Sequence, residues 1–114
     1  MQELLTQDNI TSEDLERLLE ARAKGEIDFL LVDVREDMEY EMGHIKGVDM
    51  LKPTSTFQQW AQEFLDSHQD KAVIFTCRTG SRSAQVQHVF KSNGMEKSIN
   101  HYGGITTYRG EIER

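Results

Sequence analysis

Two short apolar runs, far apart in the chain, constrain the fold most. Residues 29–32 read Phe-Leu-Leu-Val and lie between two aspartates, and residues 72–76 read Ala-Val-Ile-Phe-Thr. Continuous apolar runs of this length are typical of strands that are covered on both faces within a parallel sheet. We therefore predict two central strands of a sheet that is buried on both sides.

Helical patterns precede and follow these runs. Thr11 and Asp14 indicate an N-terminal cap, and apolar residues then recur at helical spacing until a stop near Gly25. Apolar residues at helical spacing also occupy positions 57–65 and 84–90. Alternating strands and helices predict an α/β fold with a mostly parallel sheet.

The composition fits one compact domain. With 114 residues, of which 37% are hydrophobic, the chain can bury a modest core without covalent or metal cross-links. Its single cysteine excludes an intramolecular disulfide, and no Cys/His cluster suggests a metal site. Because neither a repeat nor a linker interrupts the sequence, we expect residues 1–114 to form a single domain.

The charge excludes some partner classes. Thirteen basic and twenty acidic residues give a net charge of −7. Nucleic acids and anionic membranes require a cationic face, so we expect neither as a partner. The sequence begins without a signal-like segment and contains no apolar run of membrane-spanning length, so a cytoplasmic location is expected.

The most informative segment follows the second predicted strand and leads into a helix. Its residues are Cys77, Arg78, Thr79, Gly80, Ser81 and Arg82. Ligands of parallel α/β sheets bind at the carboxyl ends of strands, and backbone N–H groups converge at helix N-termini. This position predicts a loop that binds an anion, with Cys77 as its nucleophile.

The residue types in the loop favour an ionised sulfur. Amide donors, the helix dipole and two guanidinium groups all stabilise a thiolate, and such surroundings lower a cysteine pKa to roughly 3.5–7.5. Gly80 suits a turn with positive φ, whereas Thr79 and Ser81 supply hydroxyl donors. A lone cysteine is often an inert core residue, but two arginines and a glycine beside Cys77 argue against that interpretation.

Together with an earlier segment, this loop resembles the rhodanese family. Asp-Val-Arg-Glu at residues 33–36 and Gly-His-Ile-Lys-Gly at residues 43–47 are similar to the family's amino-terminal signature. Residues 77–83 resemble its active-site loop. Gly-Gly-Ile at residues 103–105 resembles its closing segment, which precedes a short C-terminal helix.

The resemblance implies a three-layer α/β domain with a central, mostly parallel five-stranded sheet flanked by helices. It also implies a sulfurtransferase in which Cys77 takes sulfane sulfur from thiosulfate, a polysulfide or a persulfide. The acceptor would be cyanide or a thiol, including a protein thiol, and no cofactor is needed. We expect residues 78–82 to bind the substrate, with Arg78 pointing outward to attract anions and Arg82 closing the loop.

Other functions remain open at this stage. A non-enzymatic persulfide carrier or docking module would have nearly the same sequence, and a regulatory domain without chemistry is a third alternative. Related phosphatases of the same fold have one more residue between cysteine and arginine, where Cys77 and Arg82 have four between them. The shorter loop favours a single persulfide sulfur over a tetrahedral oxyanion.

Several residues outside the loop match family positions that look structural. We expect Asp33 to cap a central strand and Arg35 to pair with a carboxylate such as Glu39. His44 reads as a turn or packing residue. The sequence around His101 contains no residue at a spacing that would predict a catalytic or metal-binding partner for it.

The segment just before Gly43 carries two methionines and several acids. Met38 and Met42 are four residues apart, and we predict that they fill gaps in the core. The acidic stretch 36–41 is most simply a solvated helix face, although it could also dock a basic partner protein.

Overall fold

The computed structural model describes residues 1–114. Four α-helices form, which are α1 (Ser12–Ala23), α2 (Asp37–Met42), α3 (Phe57–His68) and α4 (Ser81–Ser92). Seven strands form, which are β1 (Asn9–Ile10), β2 (Leu30–Asp33), β3 (His44–Ile45), β4 (Met50–Leu51), β5 (Val73–Thr76), β6 (Ser98–His101) and β7 (Ile112–Glu113). Single 3-10 turns cover Gln2–Thr6, Thr54–Thr56 and Ile105–Thr107.

Five of the strands make one sheet in the order β1-β6-β5-β2-β4. Every pairing within it is parallel. The expected parallel five-stranded sheet is therefore confirmed, with β5 at its centre and the predicted apolar runs forming β5 and β2. Strands β3 and β7 pair separately and antiparallel.

Local sequence signals explain the start of α1. The Thr11 side chain accepts a hydrogen bond from the Asp14 amide at 3.1 Å, and the Asp14 carboxylate accepts one from the Thr11 amide at 3.2 Å. This reciprocal pair satisfies N–H groups that have no partner inside the helix. The predicted cap is confirmed, and the helix ends two residues before Gly25.

Helices cover the sheet on both faces. Alternate strand residues such as Leu31 and Ile74 join a core cluster with α1, through Leu15 and Leu18. The strand residues that alternate with these, such as Val32 and Phe75, join a second cluster on the opposite face of the sheet. This alternation gives three layers, as the family resemblance implied.

The second cluster packs α3 and α4 against the sheet. Its aromatic side chains lie with ring centroids 5.0 to 6.0 Å apart, and they are Phe57, Trp60, Phe64, Phe75 and Phe90. Cys77 is part of this cluster. The loop that it begins is thus anchored in the buried core on this face of the sheet.

Two sequence-based expectations are wrong here. Met38 and Met42 do not fill the core, because α2 has no buried residue and leaves these side chains 76% and 77% exposed. The segment after Gly104 forms the single 3-10 turn Ile105–Thr107 rather than a helix. No helix has the length and apolar character required to cross a bilayer.

Candidate active site

Cys77 begins a tight turn between the central strand and α4. The strand ends at Thr76, Gly80 adopts a left-handed conformation with φ of +93°, and the helix begins at Ser81. A Cβ at Gly80 would approach the amide nitrogen of Gly103 at 3.0 Å, so both the positive φ and the close packing require glycine. The cysteine itself has no exposed surface.

Three hydrogen-bond donors point at the Cys77 sulfur. The Gly80 amide lies 3.1 Å from Sγ, the Ser83 amide 3.4 Å and the Ser83 hydroxyl 3.3 Å. These groups come from the turn and from the first turn of α4, where N–H groups lack helical partners. The loop therefore presents converging donors to a single sulfur atom, as the sequence predicted.

Burial and hydrogen bonding change the Cys77 pKa in opposite directions. Burial raises the pKa because a thiolate is poorly stabilised away from water, and this is the largest single effect. The hydroxyl and amide of Ser83 and the amides of Gly80 and Thr79 lower it. Together the donors outweigh burial, so the pKa of Cys77 lies below its ordinary value.

The segment after β6 closes the loop from outside. The Ile105 amide donates to the Cys77 carbonyl at 2.9 Å, and the Thr106 amide donates to the Arg78 carbonyl at 3.1 Å. A Cβ at Gly104 would lie 2.5 Å from the Arg78 oxygen and 2.6 Å from the Cys77 oxygen. Only glycine allows the two backbones to approach this closely.

Arg82 ties the loop to α2. Its two terminal nitrogens donate to the two carboxylate oxygens of Glu39 at 2.7 and 2.9 Å. This bidentate pair lowers the pKa of Glu39 to about 2 and raises the pKa of Arg82. The nearby charge of Cys77 also raises the pKa of Arg82. Arg82 thus closes the loop by a salt bridge.

The predicted partner of Arg35 was wrong. Arg35 pairs with Asp33 at 2.8 Å and donates to the Gly43 carbonyl at 2.7 Å. The side chains of Asp33 and Arg35 are both buried at the end of β2, where each needs a partner of opposite charge. Asp33 also accepts a bond from the Arg35 amide at 3.0 Å, so it does cap the strand. Glu39 is consequently free to bind Arg82 instead.

The remaining loop residues lie on the solvent side. Arg78 is exposed, which agrees with the expectation that it points outward. Thr79 and Ser81 are exposed too, and the hydroxyl that reaches the sulfur belongs to Ser83 instead. A substrate-binding role for residues 78–82 stays a prediction.

Asn100 is a site residue that the sequence did not single out, and Ser83 was matched to the family's loop without a predicted role. The Ser83 hydroxyl donates to Oδ1 of Asn100 at 2.6 Å, so its single proton is shared between that oxygen and the Cys77 sulfur, and Asn100 donates in turn to the Asn9 side chain at 3.0 Å. Asn100 therefore fixes the position of the Ser83 oxygen. Ser83 directly follows the predicted loop, so the sequence carried a signal for its place in the site. Asn100 reaches the site only through the pairing of β5 with β6.

His101 has partners on both ring nitrogens, which corrects the expectation drawn from spacing. Nδ1 lies 2.8 Å from the Thr76 hydroxyl and Nε2 lies 2.7 Å from that of Ser12. Ser12 contacts Thr107 at 2.7 Å, and Thr107 donates to the Gly104 carbonyl at 3.0 Å. Since that carbonyl only accepts, the chain runs consistently from Thr76 to Gly104 with Nε2 of His101 protonated. Burial lowers the pKa of His101 to about 4.

The comparison with known proteins agrees with this geometry. A family model described as "Rhodanese-like domain" matches residues 13–111, which include the entire cysteine loop. The chain belongs to the rhodanese-like domain family. Among solved structures, the Rhodanese-like Domain Protein from Staphylococcus aureus has a TM-score of 0.75 and 29% identity, over 94% of this chain and 97% of that one. A crystal structure from Staphylococcus saprophyticus has a TM-score of 0.75 and 26% identity, over 95% and 100%.

Curated relatives of this rhodanese-like domain carry a different name. A tRNA uridine(34) hydroxylase from Escherichia fergusonii is 36% identical over 84 residues, and the same protein from Escherichia coli is 33% identical. The match covers 71% of this chain but 24% of either relative. The chain thus spans about a quarter of the length of these relatives.

Proposed function

We propose that this rhodanese-like domain is a sulfurtransferase that carries sulfur as a persulfide on Cys77. The observation that supports it most strongly is the convergence of the Gly80 amide with the amide and hydroxyl of Ser83 on one buried sulfur. These donors stabilise an anion on sulfur, and a thiolate is the form that attacks a sulfur donor.

The first half-reaction loads the protein. With thiosulfate as donor, the Cys77 thiolate attacks the outer, sulfane sulfur, and the sulfur–sulfur bond of thiosulfate breaks. Sulfite leaves with the bonding electron pair, and Cys77 becomes a persulfide. A polysulfide or a low-molecular-weight persulfide would load the same sulfur and release a shorter sulfur chain or a thiolate.

The second half-reaction unloads it. Cyanide or a thiolate attacks the outer sulfur of the persulfide, and Cys77 leaves as a thiolate. The leaving thiolate returns to the donors on Gly80 and Ser83, so the groups that activate Cys77 for attack also make it a good leaving group. The chain contains no second cysteine that could receive the sulfur.

Turnover separates an enzyme from a carrier. We expect thiocyanate to form continuously when the protein is mixed with thiosulfate and cyanide, and Cys77→Ser to form none. A burst of at most one thiocyanate per protein, followed by no further product, would instead support the carrier function. No thiocyanate from thiosulfate, polysulfide or glutathione persulfide would contradict sulfur transfer.

The relatives' name provides a second candidate, the hydroxylation of a tRNA uridine, on the basis of the 36% identity. Sulfur transfer ranks first because the match covers a quarter of those proteins and the net charge of −7 is unfavourable for binding RNA. A gel-shift titration with tRNA tests this ranking. We expect no complex at physiological salt, and micromolar binding would favour the second candidate.

A further inference from the structure

Helix α2 presents two large apolar side chains to solvent beside the active-site loop. Met38 is 76% exposed and Met42 is 77% exposed. Residues four apart lie on the same side of a helix, so the two side chains form one continuous apolar strip. Neighbouring exposed apolar side chains of this size are typical of interaction sites, and methionine adapts its shape to different partners.

The strip is held in a fixed place relative to Cys77. Glu39 lies next to Met38 in the chain and forms the bidentate salt bridge with Arg82, the last residue of the cysteine loop. A protein that covers the two methionines therefore contacts the helix that is tied to the cysteine loop through Arg82.

The charges around the strip favour one kind of partner. Asp37 and Glu41 are exposed, and neither takes part in an ion pair within the chain. By contrast, the charge of Glu39 is compensated by Arg82. Glu36 forms no ion pair, but its carboxylate is bound by the amide and hydroxyl of Ser55. The two free carboxylates complement a basic surface. A second copy placed symmetrically on this face would bring like charges together.

We propose that Met38, Met42, Asp37 and Glu41, here called the methionine surface, dock a basic protein that receives sulfur on a cysteine. This inference rests on the proposed function. Because Cys77 is fully buried, the acceptor cysteine must lie on a protruding segment. Its thiolate attacks the outer sulfur of the Cys77 persulfide, the sulfur–sulfur bond breaks, and Cys77 leaves as a thiolate while the acceptor becomes the persulfide. No net oxidation occurs.

The test uses peptide acceptors and the sulfur-loaded protein. The first peptide has one cysteine flanked by leucines and lysines, the second replaces the lysines with glutamates, and the third replaces the leucines with serines. Transfer of one sulfur is followed in a single turnover by mass spectrometry. Unloading by cyanide, which needs no docking, is measured on the same samples.

Two double variants change one property each. Met38→Gln with Met42→Gln removes the apolar strip, and Asp37→Asn with Glu41→Gln removes the free charges. Val89→Gln is the matched control, because Val89 is another exposed apolar residue but lies two helical turns from Arg82 along α4.

We expect the wild type to prefer the lysine and leucine peptide. The methionine variant should slow transfer to that peptide by about fivefold to tenfold, the range for losing an interface anchor. The charge variant should weaken the salt dependence of that rate, because two of the unpaired carboxylates beside the strip are lost. Cyanide unloading should stay within twofold of wild type in both, and Val89→Gln should leave every rate unchanged.

Three outcomes would overturn the inference. One is equal wild-type rates with the lysine and glutamate peptides, and another is equal loss of peptide and cyanide transfer in the methionine variant. The third is concentration-dependent dimerisation in analytical ultracentrifugation that the methionine variant abolishes, which would assign the surface to a second copy. Failure of the wild type to load sulfur at all is a different result, because it contradicts the proposed function itself.

Discussion

At Cys77, the balance between burial and hydrogen bonding determines the charge on the sulfur. Burial alone would keep the thiol protonated, and the donors on Ser83, Gly80 and Thr79 reverse that effect and lower the pKa. Ser83 contributes both a hydroxyl and an amide, so its side chain can be removed while its backbone donor remains. It is therefore the residue at which the balance can be tested most cleanly.

Ser83→Ala should raise the pKa of Cys77. Losing one hydrogen bond worth about 1 kcal/mol should move the midpoint of alkylation by iodoacetamide about 0.7 pH units higher, because the thiolate then forms at higher pH. The pH profile of alkylation measures this directly. Ser92→Ala, at the exposed far end of the same helix, is the control and should leave the profile unchanged.

Arg78→Ala should weaken the use of thiosulfate more than the stability of the persulfide. The Arg78 side chain is exposed, so it can attract a dianionic donor without supporting the loop. We expect a KM for thiosulfate several-fold higher at low salt, with little change in the lifetime of the loaded protein. Arg17→Ala removes an exposed arginine from α1 as the matched control. An unchanged KM for Arg78→Ala would contradict this role.

At the scale of elements, the turn after β6 holds the cysteine loop in place. Its amides donate to the carbonyls of Cys77 and Arg78, and Gly104 allows the two backbones to touch. The hydrogen-bond chain through His101 links the same turn to the N-terminus of α1. The cysteine loop is continuous in sequence, but the turn after β6 and, through His101, the N-terminus of α1 hold it in place.

Gly104→Ala should destabilise the protein far more than Gly25→Ala. Both glycines have positive φ, +62° and +75°, but a Cβ at Gly25 meets nothing within 4 Å. Gly25→Ala should therefore cost only about 1 kcal/mol, whereas the clash at Gly104 should raise the cost to about 3 kcal/mol or more. Urea unfolding measures both variants, and equal costs would mean that the turn does not pack tightly on the loop.

The sequence predicts some of these elements much better than others. Strands β2 and β5, the capped helix α1 and the cysteine loop have strong local signals, so they could be found in advance. Strands β1 and β4 have two residues each, too few for any periodicity to be visible. Likewise, the choice of Arg82 rather than Arg35 by Glu39 depends on tertiary placement, which no spacing reveals.

At the scale of the whole molecule, the buried histidine makes stability depend on pH. His101 has a folded pKa of about 4 against an ordinary value of 6.5, so the unfolded chain binds a proton in this range that the native protein does not. Stability therefore falls as the pH decreases from 6.5 towards 4. Glu39 has a folded pKa of about 2 against an ordinary value of 4.5, so its contribution to stability is lost only as the pH falls below 4.5.

The free energy of unfolding should decrease by about 2 kcal/mol between pH 7 and pH 5 through His101 alone. Urea unfolding at several pH values measures this decrease. His101→Gln should lower stability at pH 7 but flatten the dependence, whereas His88→Gln, at an exposed position, should not. A dependence that is equally steep in all three proteins would contradict a buried, neutral His101.

The central claim, that Cys77 carries sulfur, is tested most directly by intact mass spectrometry. The protein is incubated with thiosulfate or glutathione persulfide, freed of excess donor, and weighed before and after cyanide is added. We predict that wild type gains the mass of one sulfur and loses it to cyanide, while Cys77→Ser gains none. Wild type that gains no sulfur from either donor, or a Cys77→Ser variant that gains as much as wild type, would contradict the account.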